Sequence, residues 1–115
     1  MFGSGSPTNT LDDFEEADVL LLMGSNTTEA HPIIANKMKK AAKQGLKIIV
    51  IDPRKIDMVK VSHRHLQIEV GADIALMNGM MHVIINEGLY DPEWVLKHTS
   101  EFDNLKKQVH AYTPE

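Results

Sequence analysis

Apolar residues fall into short runs at some points of this chain and at helical spacing at others. Asp18-Val19-Leu20-Leu21-Leu22-Met23-Gly24 is continuous, short and closed by a glycine, which predicts a strand buried on both faces. Lys47-Ile48-Ile49-Val50-Ile51 predicts a second, stopped by Asp52-Pro53. Leu66-Gln67-Ile68-Glu69-Val70 alternates, so a third strand is expected there, nearer a sheet edge. Between the first two runs, from Pro32 to Gln44, the period becomes helical. Ile34, Met38, Ala41 and Ala42 line one face, and Lys37, Lys39, Lys40 and Lys43 crowd elsewhere as a solvated face. Gly45 follows where a helix C-terminal glycine belongs, and the late lysines suit the negative end of the dipole.

The remaining elements carry their own start and stop signals. Residues Gly3 to Asn9 read as a loop, and Thr10 with Asp13 fits a capping box opening a turn that ends near Glu16. Asp73 is expected to cap a helix from Ile74 to about Glu87, apolar around much of its circumference and so expecting burial on more than one side. Its methionines read as adaptable packing. Asp91-Pro92-Glu93-Trp94 starts another helix, and Ser100 with Asp103 is expected to cap a last one running toward Tyr112. Strand, helix, strand with short links implies parallel pairing and a right-handed crossover. The expected fold is thus α/β, an open, doubly wound, mainly parallel sheet flanked by helices, Rossmann-like, with residues 1–115 forming one domain.

In such sheets ligands bind beyond the carboxyl ends of the strands, which directs attention to three short stretches. After the first strand stands Gly24-Ser25-Asn26-Thr27-Thr28-Glu29-Ala30-His31-Pro32. Small and polar residues there admit a close backbone approach, and the helix that follows suits a phosphate. The stretch is neither GxGxxG nor a P-loop, so a well-capped loop is an equal reading. After the second strand stands Asp52-Pro53-Arg54, with Asp52 28 residues beyond Gly24. Its carboxylate can accept from vicinal ribose hydroxyls or a guanine edge, and Arg54 offers a fork of donors. A surface Asp-Pro turn is the plain alternative. After the third stands Gly71-Ala72-Asp73, where capping alone would account for the acid.

Composition narrows the chemistry. The 115 residues include no cysteine, so these residues offer no disulfide, iron–sulfur ligand, thiolate metal site or cysteine nucleophile. Net charge is −4, which gives no basic footprint for nucleic acid or an anionic membrane. No run approaches the roughly 18 apolar residues of a membrane span, and a cytoplasmic home is the expectation. His63 and His65 share a strand face but lack a convincing third ligand. His82 reads as a satisfied interior or interface residue, and His98 and His110 as surface. No base–nucleophile pair stands out.

Taken together, Gly24-Ser25-Asn26-Thr27-Thr28-Glu29-Ala30-His31-Pro32, Val50-Ile51-Asp52-Pro53-Arg54 and Gly71-Ala72-Asp73-Ile74-Ala75-Leu76 resemble the molybdopterin oxidoreductases, and among them the catalytic subunit of formate dehydrogenases. Glu87-Gly88-Leu89-Tyr90-Asp91 and the closing Tyr112-Thr113-Pro114-Glu115 are similar too, so the resemblance runs through the whole chain. It implies a large enzyme that interconverts formate and carbon dioxide. Its cofactor would be a bis(molybdopterin guanine dinucleotide) of molybdenum or tungsten, and this α/β part would grip the guanosine diphosphate arm of one pterin. By position, Gly24, Ser25, Asn26 and Glu29 would line the first loop, Asp52 and Arg54 would meet the nucleoside, and Gly71 with Asp73 would close the third side. Which of them reaches guanine rather than ribose stays open.

The resemblance also places the family's iron–sulfur cysteines in an N-terminal domain outside these residues. Its metal-bound cysteine or selenocysteine and neighbouring histidine fall just upstream. No catalytic or metal-binding residue is therefore expected here, and Met1 and Glu115 read as an artificial start and an interior cut. Expected partners are the remaining domains of the parent subunit, electron-transfer subunits and, through exposed apolar surface, a second copy. A stand-alone Rossmann-type module for NAD or S-adenosylmethionine and a receiver-like domain with Asp52 as phosphoacceptor are the alternatives.

Overall fold

The computed structural model describes residues 9–114; most of the loop expected over residues 3–9 lies outside them. The chain gathers into two compact units, Met1–Glu69 and Val70–Glu115.

The first unit is an open sheet of three parallel strands, β1 (Val19–Met23), β2 (Lys47–Ile51) and β3 (Arg64–Leu66), in the order β1-β2-β3. Leu22 pairs with Val50 and Met23 with Ile51, so the two apolar runs lie in register along their length. Between them come a single turn, α1 (Thr27–Ala30), and the longer α2 (Pro32–Lys43). Ala35, Met38 and Ala41 of α2 are buried, and with Leu22, Ile48 and Val50 they form the core. Ile34 and Ala42 only flank it; the two small alanines at 35 and 41 let the helix axis approach the sheet. The fold class is the expected α/β one.

The lysines of α2 do more than solvate a face. Lys37 pairs with Asp12, Lys40 with Glu15 at 2.7 Å and Lys39 with Asp57 at 2.8 Å. These pairs tie the helix to two 3-10 turns, Asp12–Glu15 and Asp57–Val61. The first follows the Thr10–Asp13 box, in which the Thr10 N–H and hydroxyl both donate to the Asp13 carboxylate at 2.9 and 2.8 Å.

The third strand lies earlier than the alternating pattern predicts. It covers Arg64–Leu66, and Gln67, Ile68 and Glu69 continue without a ladder. The reason is in its neighbour: β2 stops at Ile51, paired with Leu66, and Pro53 has no N–H with which to extend the pairing. A last bond from Asp52 N–H to the Leu66 carbonyl, at 3.3 Å, ends it.

The second unit is helical: α3 (Asp73–Asn86), α4 (Pro92–His98) and α5 (Phe102–Val109). At α4 the Asp91 carboxylate accepts from Trp94 N–H at 3.0 Å with Pro92 in the first turn. Two expected caps are corrected. Ala72, not Asp73, is the N-cap of α3, and Glu101, not Ser100, that of α5; neither makes a side-chain cap bond. Asp73 is instead a first-turn residue, where its charge still suits the dipole. Glu101 takes a left-handed conformation, φ 57°, which withdraws Ser100 from the helix end. Within these residues none of α3 is buried, and Ile74 remains 72% exposed. His82 is satisfied by the Val109 carbonyl at 3.0 Å. No helix among the described residues is long and apolar enough to cross a membrane.

Candidate functional site

Parallel pairing sets the ends of β1 and β2 side by side. The Gly24 N–H donates to the Ile51 carbonyl at 3.0 Å, so the first loop starts one bond away from Asp52. Gly24 adopts φ 59°, and a Cβ built there would meet no atom within 4 Å. The glycine is thus required by its left-handed backbone, and the space above it is open to a ligand.

The loop that follows is folded on itself. Ser25 and Thr27 hydroxyls lie 3.1 Å apart, and Thr27 is buried. Asn26 precedes α1, and its carbonyl accepts from Glu29 and Ala30 N–H at 3.1 and 3.0 Å. Its side-chain Oδ1 is buried without a hydrogen-bond partner, as is Thr28 Oγ1. A buried polar atom left unpaired costs about 1–3 kcal/mol, so these two at the start of α1 are candidates for hydrogen bonds from a ligand or water. Thr28 is a candidate that the sequence pattern did not single out.

Asp52 is 2% exposed. Its Oδ1 accepts from Arg54 N–H at 2.8 Å and from Arg54 Nε–H at 3.3 Å. Burial acts to raise its pKa, but the Arg54 backbone N–H, guanidinium hydrogen bond and charge, with His65, outweigh it and leave the carboxyl below its ordinary value. Arg54 is held further toward its charged form, first by Asp52 and least by Glu29 across the loop. Its side chain is 68% exposed, so the rest of its donor fork faces outward. The structure therefore brings Gly24, Ser25, Asn26, Glu29, Asp52 and Arg54 to one rim, that of the first unit.

Gly71 and Asp73 belong to the second unit. Gly71 has φ 89° with open space where a Cβ would stand, and Asp73 is exposed at the start of α3. Two further residues were missed as parts of the site. His65 Nε2 lies 2.8 Å from the Asp52 carbonyl, and Gln67 Nε2–H donates to that of Pro53 at 2.9 Å. The only signal available for them was their spacing of two along one extended segment. Among the described residues, no group of three or more His, Asp or Glu could hold a metal ion.

The family model described as molybdopterin oxidoreductase matches residues 3–108. A formate dehydrogenase alpha subunit of Methanocaldococcus jannaschii is 48% identical over 99% of this chain and 17% of its own length. A nitrate reductase of Symbiobacterium thermophilum is 37% identical over 99% of this chain and 16% of its own. Among solved structures, acetylene hydratase from Pelobacter acetylenicus superimposes with a TM-score of 0.76 at 38% identity, over 84% of this chain and 13% of that one. The chain thus spans about a sixth of the length of the curated relatives it matches.

Proposed function

The chain belongs to the molybdopterin oxidoreductase family, and on that basis we propose that it holds the guanosine diphosphate arm of a molybdopterin guanine dinucleotide within a formate dehydrogenase. Family membership carries a pterin cofactor of molybdenum or tungsten. When bound, that group supplies the redox centre. This chain's residues bind and orient its nucleotide end.

The observation that supports the reading is the rim itself. The unpaired Asn26 Oδ1 and Thr28 Oγ1 stand at the start of α1, on the stretch whose Gly24 hydrogen-bonds to the end of β2, before Asp52 and Arg54. The residues fit the group. Acceptors without partners suit the N–H and hydroxyl donors of guanine and ribose, and the outward guanidinium suits a phosphate. Gly24 leaves room for close approach. For Gly71 and Asp73, in the second unit, a nucleotide contact is proposed on the family resemblance alone.

Formate is favoured as the substrate of the parent enzyme by the 48% identity to a formate dehydrogenase subunit. A cytoplasmic setting goes with that reading, as do electron-transfer subunits. Exposed apolar residues of the second unit, Ile74 (72%), Leu96 (86%) and Trp94 (57%), suit contact with the remaining domains of the parent subunit or a second copy. The stand-alone NAD module and the receiver-like domain give way to family membership.

Isothermal titration of the chain against GDP, ADP and NAD tests the proposal. GDP is expected to bind most tightly of the three. A preference for NAD would refute it.

A further inference from the structure

The turn that presents Asp52 and Arg54 sits beyond the end of the sheet, so the ladder does not hold it. The β2–β3 pairing closes at Ile51 and Leu66, the Asp52 N–H makes one further bond, and Pro53 has none to give. The two carbonyls of this turn are nevertheless both engaged, and by side chains. His65 Nε2 lies 2.8 Å from the Asp52 oxygen and Gln67 Nε2–H donates to the Pro53 oxygen at 2.9 Å. A carbonyl oxygen only accepts, so His65 carries its proton on Nε2. Residues two apart on an extended segment project from the same side, which is how one strand end supplies both donors.

We propose that His65 and Gln67 are positioning residues for nucleotide recognition. Their N–H groups clamp the Asp52 and Pro53 carbonyls and thereby fix the direction of the Asp52 carboxylate and the Arg54 guanidinium. The inference rests on the guanine-nucleotide reading above for the ligand, but the clamp is a property of the chain. The carboxylate holds Arg54 through two bonds to Oδ1, so a rotation of the Asp52–Pro53 peptide displaces both recognition groups together. Neither His65 nor Gln67 needs to touch the ligand.

The test compares the chain with His65→Phe, His65→Gln and Gln67→Met, reading GDP affinity by titration and amide hydrogen exchange at Arg54 by NMR. The Arg54 N–H is the bond from the turn to the Asp52 carboxylate, so its protection reports the clamp directly. Phenylalanine keeps a ring without the donor; glutamine restores an Nε2–H at similar reach. His65→Phe is expected to raise Arg54 exchange and weaken GDP about threefold to tenfold, the range of one net hydrogen bond. His65→Gln should recover most of both, and Gln67→Met, like His65→Phe, should raise Arg54 exchange and weaken GDP. A role in stability alone would lower Tm without a change at Arg54. Unchanged Arg54 exchange in His65→Phe and Gln67→Met overturns the proposal, whatever the affinities. If exchange responds as expected while the unaltered chain shows no preference for GDP, the clamp stands and the guanine-nucleotide reading falls. Should His65→Phe fail to fold, Gln67→Met decides by the same readouts.

Discussion

Asp57 shows how a single side chain can organise a loop. It takes Lys39 of α2 at 2.8 Å and Lys60 of its own 3-10 turn at 2.7 Å, and these hydrogen bonds, Lys39 first, hold its carboxyl at about 2. A carboxyl depressed by folding stabilises the native state fully above its unfolded pKa of about 3.9 and stops doing so as pH falls through the folded value. Thermal melts between pH 5 and pH 2 should therefore show a fall in Tm that is shallower in Asp57→Asn. Equal slopes for the two proteins would rule out this source. At this scale the sequence identified Asp52 and Arg54 correctly as neighbours in a turn, because Asp-Pro-X fixes that turn locally. It did not identify Thr28, whose hydroxyl becomes notable only when burial strips it of water.

Among the elements, β1, α2 and β2 were legible because their apolar period and their stops agree. Their packing rests on Ile48 and Val50, both fully buried beside Ala35, Met38 and Ala41. Ile48→Ala is expected to destabilise the first unit by about 2–5 kcal/mol through lost burial and a cavity; urea denaturation followed by circular dichroism would measure it. A cost below 1 kcal/mol would mean the core is not closed around that residue. The third strand was placed too late because alternation across Leu66–Val70 satisfies a strand pattern, whereas pairing requires a partner. Only the halt of β2 before Pro53 decides how far β3 can run.

For the whole molecule, the two units meet in sequence at Glu69 and Val70. Gln67, Glu69, Val70 and Gly71 are exposed, Val70 at 91%, and the segment carries no ladder. Exposed backbone without regular hydrogen bonds is where proteases enter. Brief digestion with thermolysin, which cuts before apolar residues, should yield its earliest fragments at Glu69–Val70, identified by mass spectrometry. First cuts within β2 or α2 would contradict the division into units. The composition alone gave little hint of it, since apolar content changes only slightly across the boundary.

Local chemistry determined much of this chain. Apolar runs closed by Gly24 and by Asp52-Pro53 fixed two parallel strands and the helix between them, and with them the place where polar residues collect. Those choices depend on neighbours a few positions away, so they can be read along the chain. Only the tertiary structure decided that Asn26 Oδ1 and Thr28 Oγ1 are left without partners, that His65 and Gln67 hold the carbonyls of Asp52 and Pro53, and where β3 ends. Each of these depends on which groups lose water and which remote atoms arrive in their place, and that is settled by packing rather than by order in the chain.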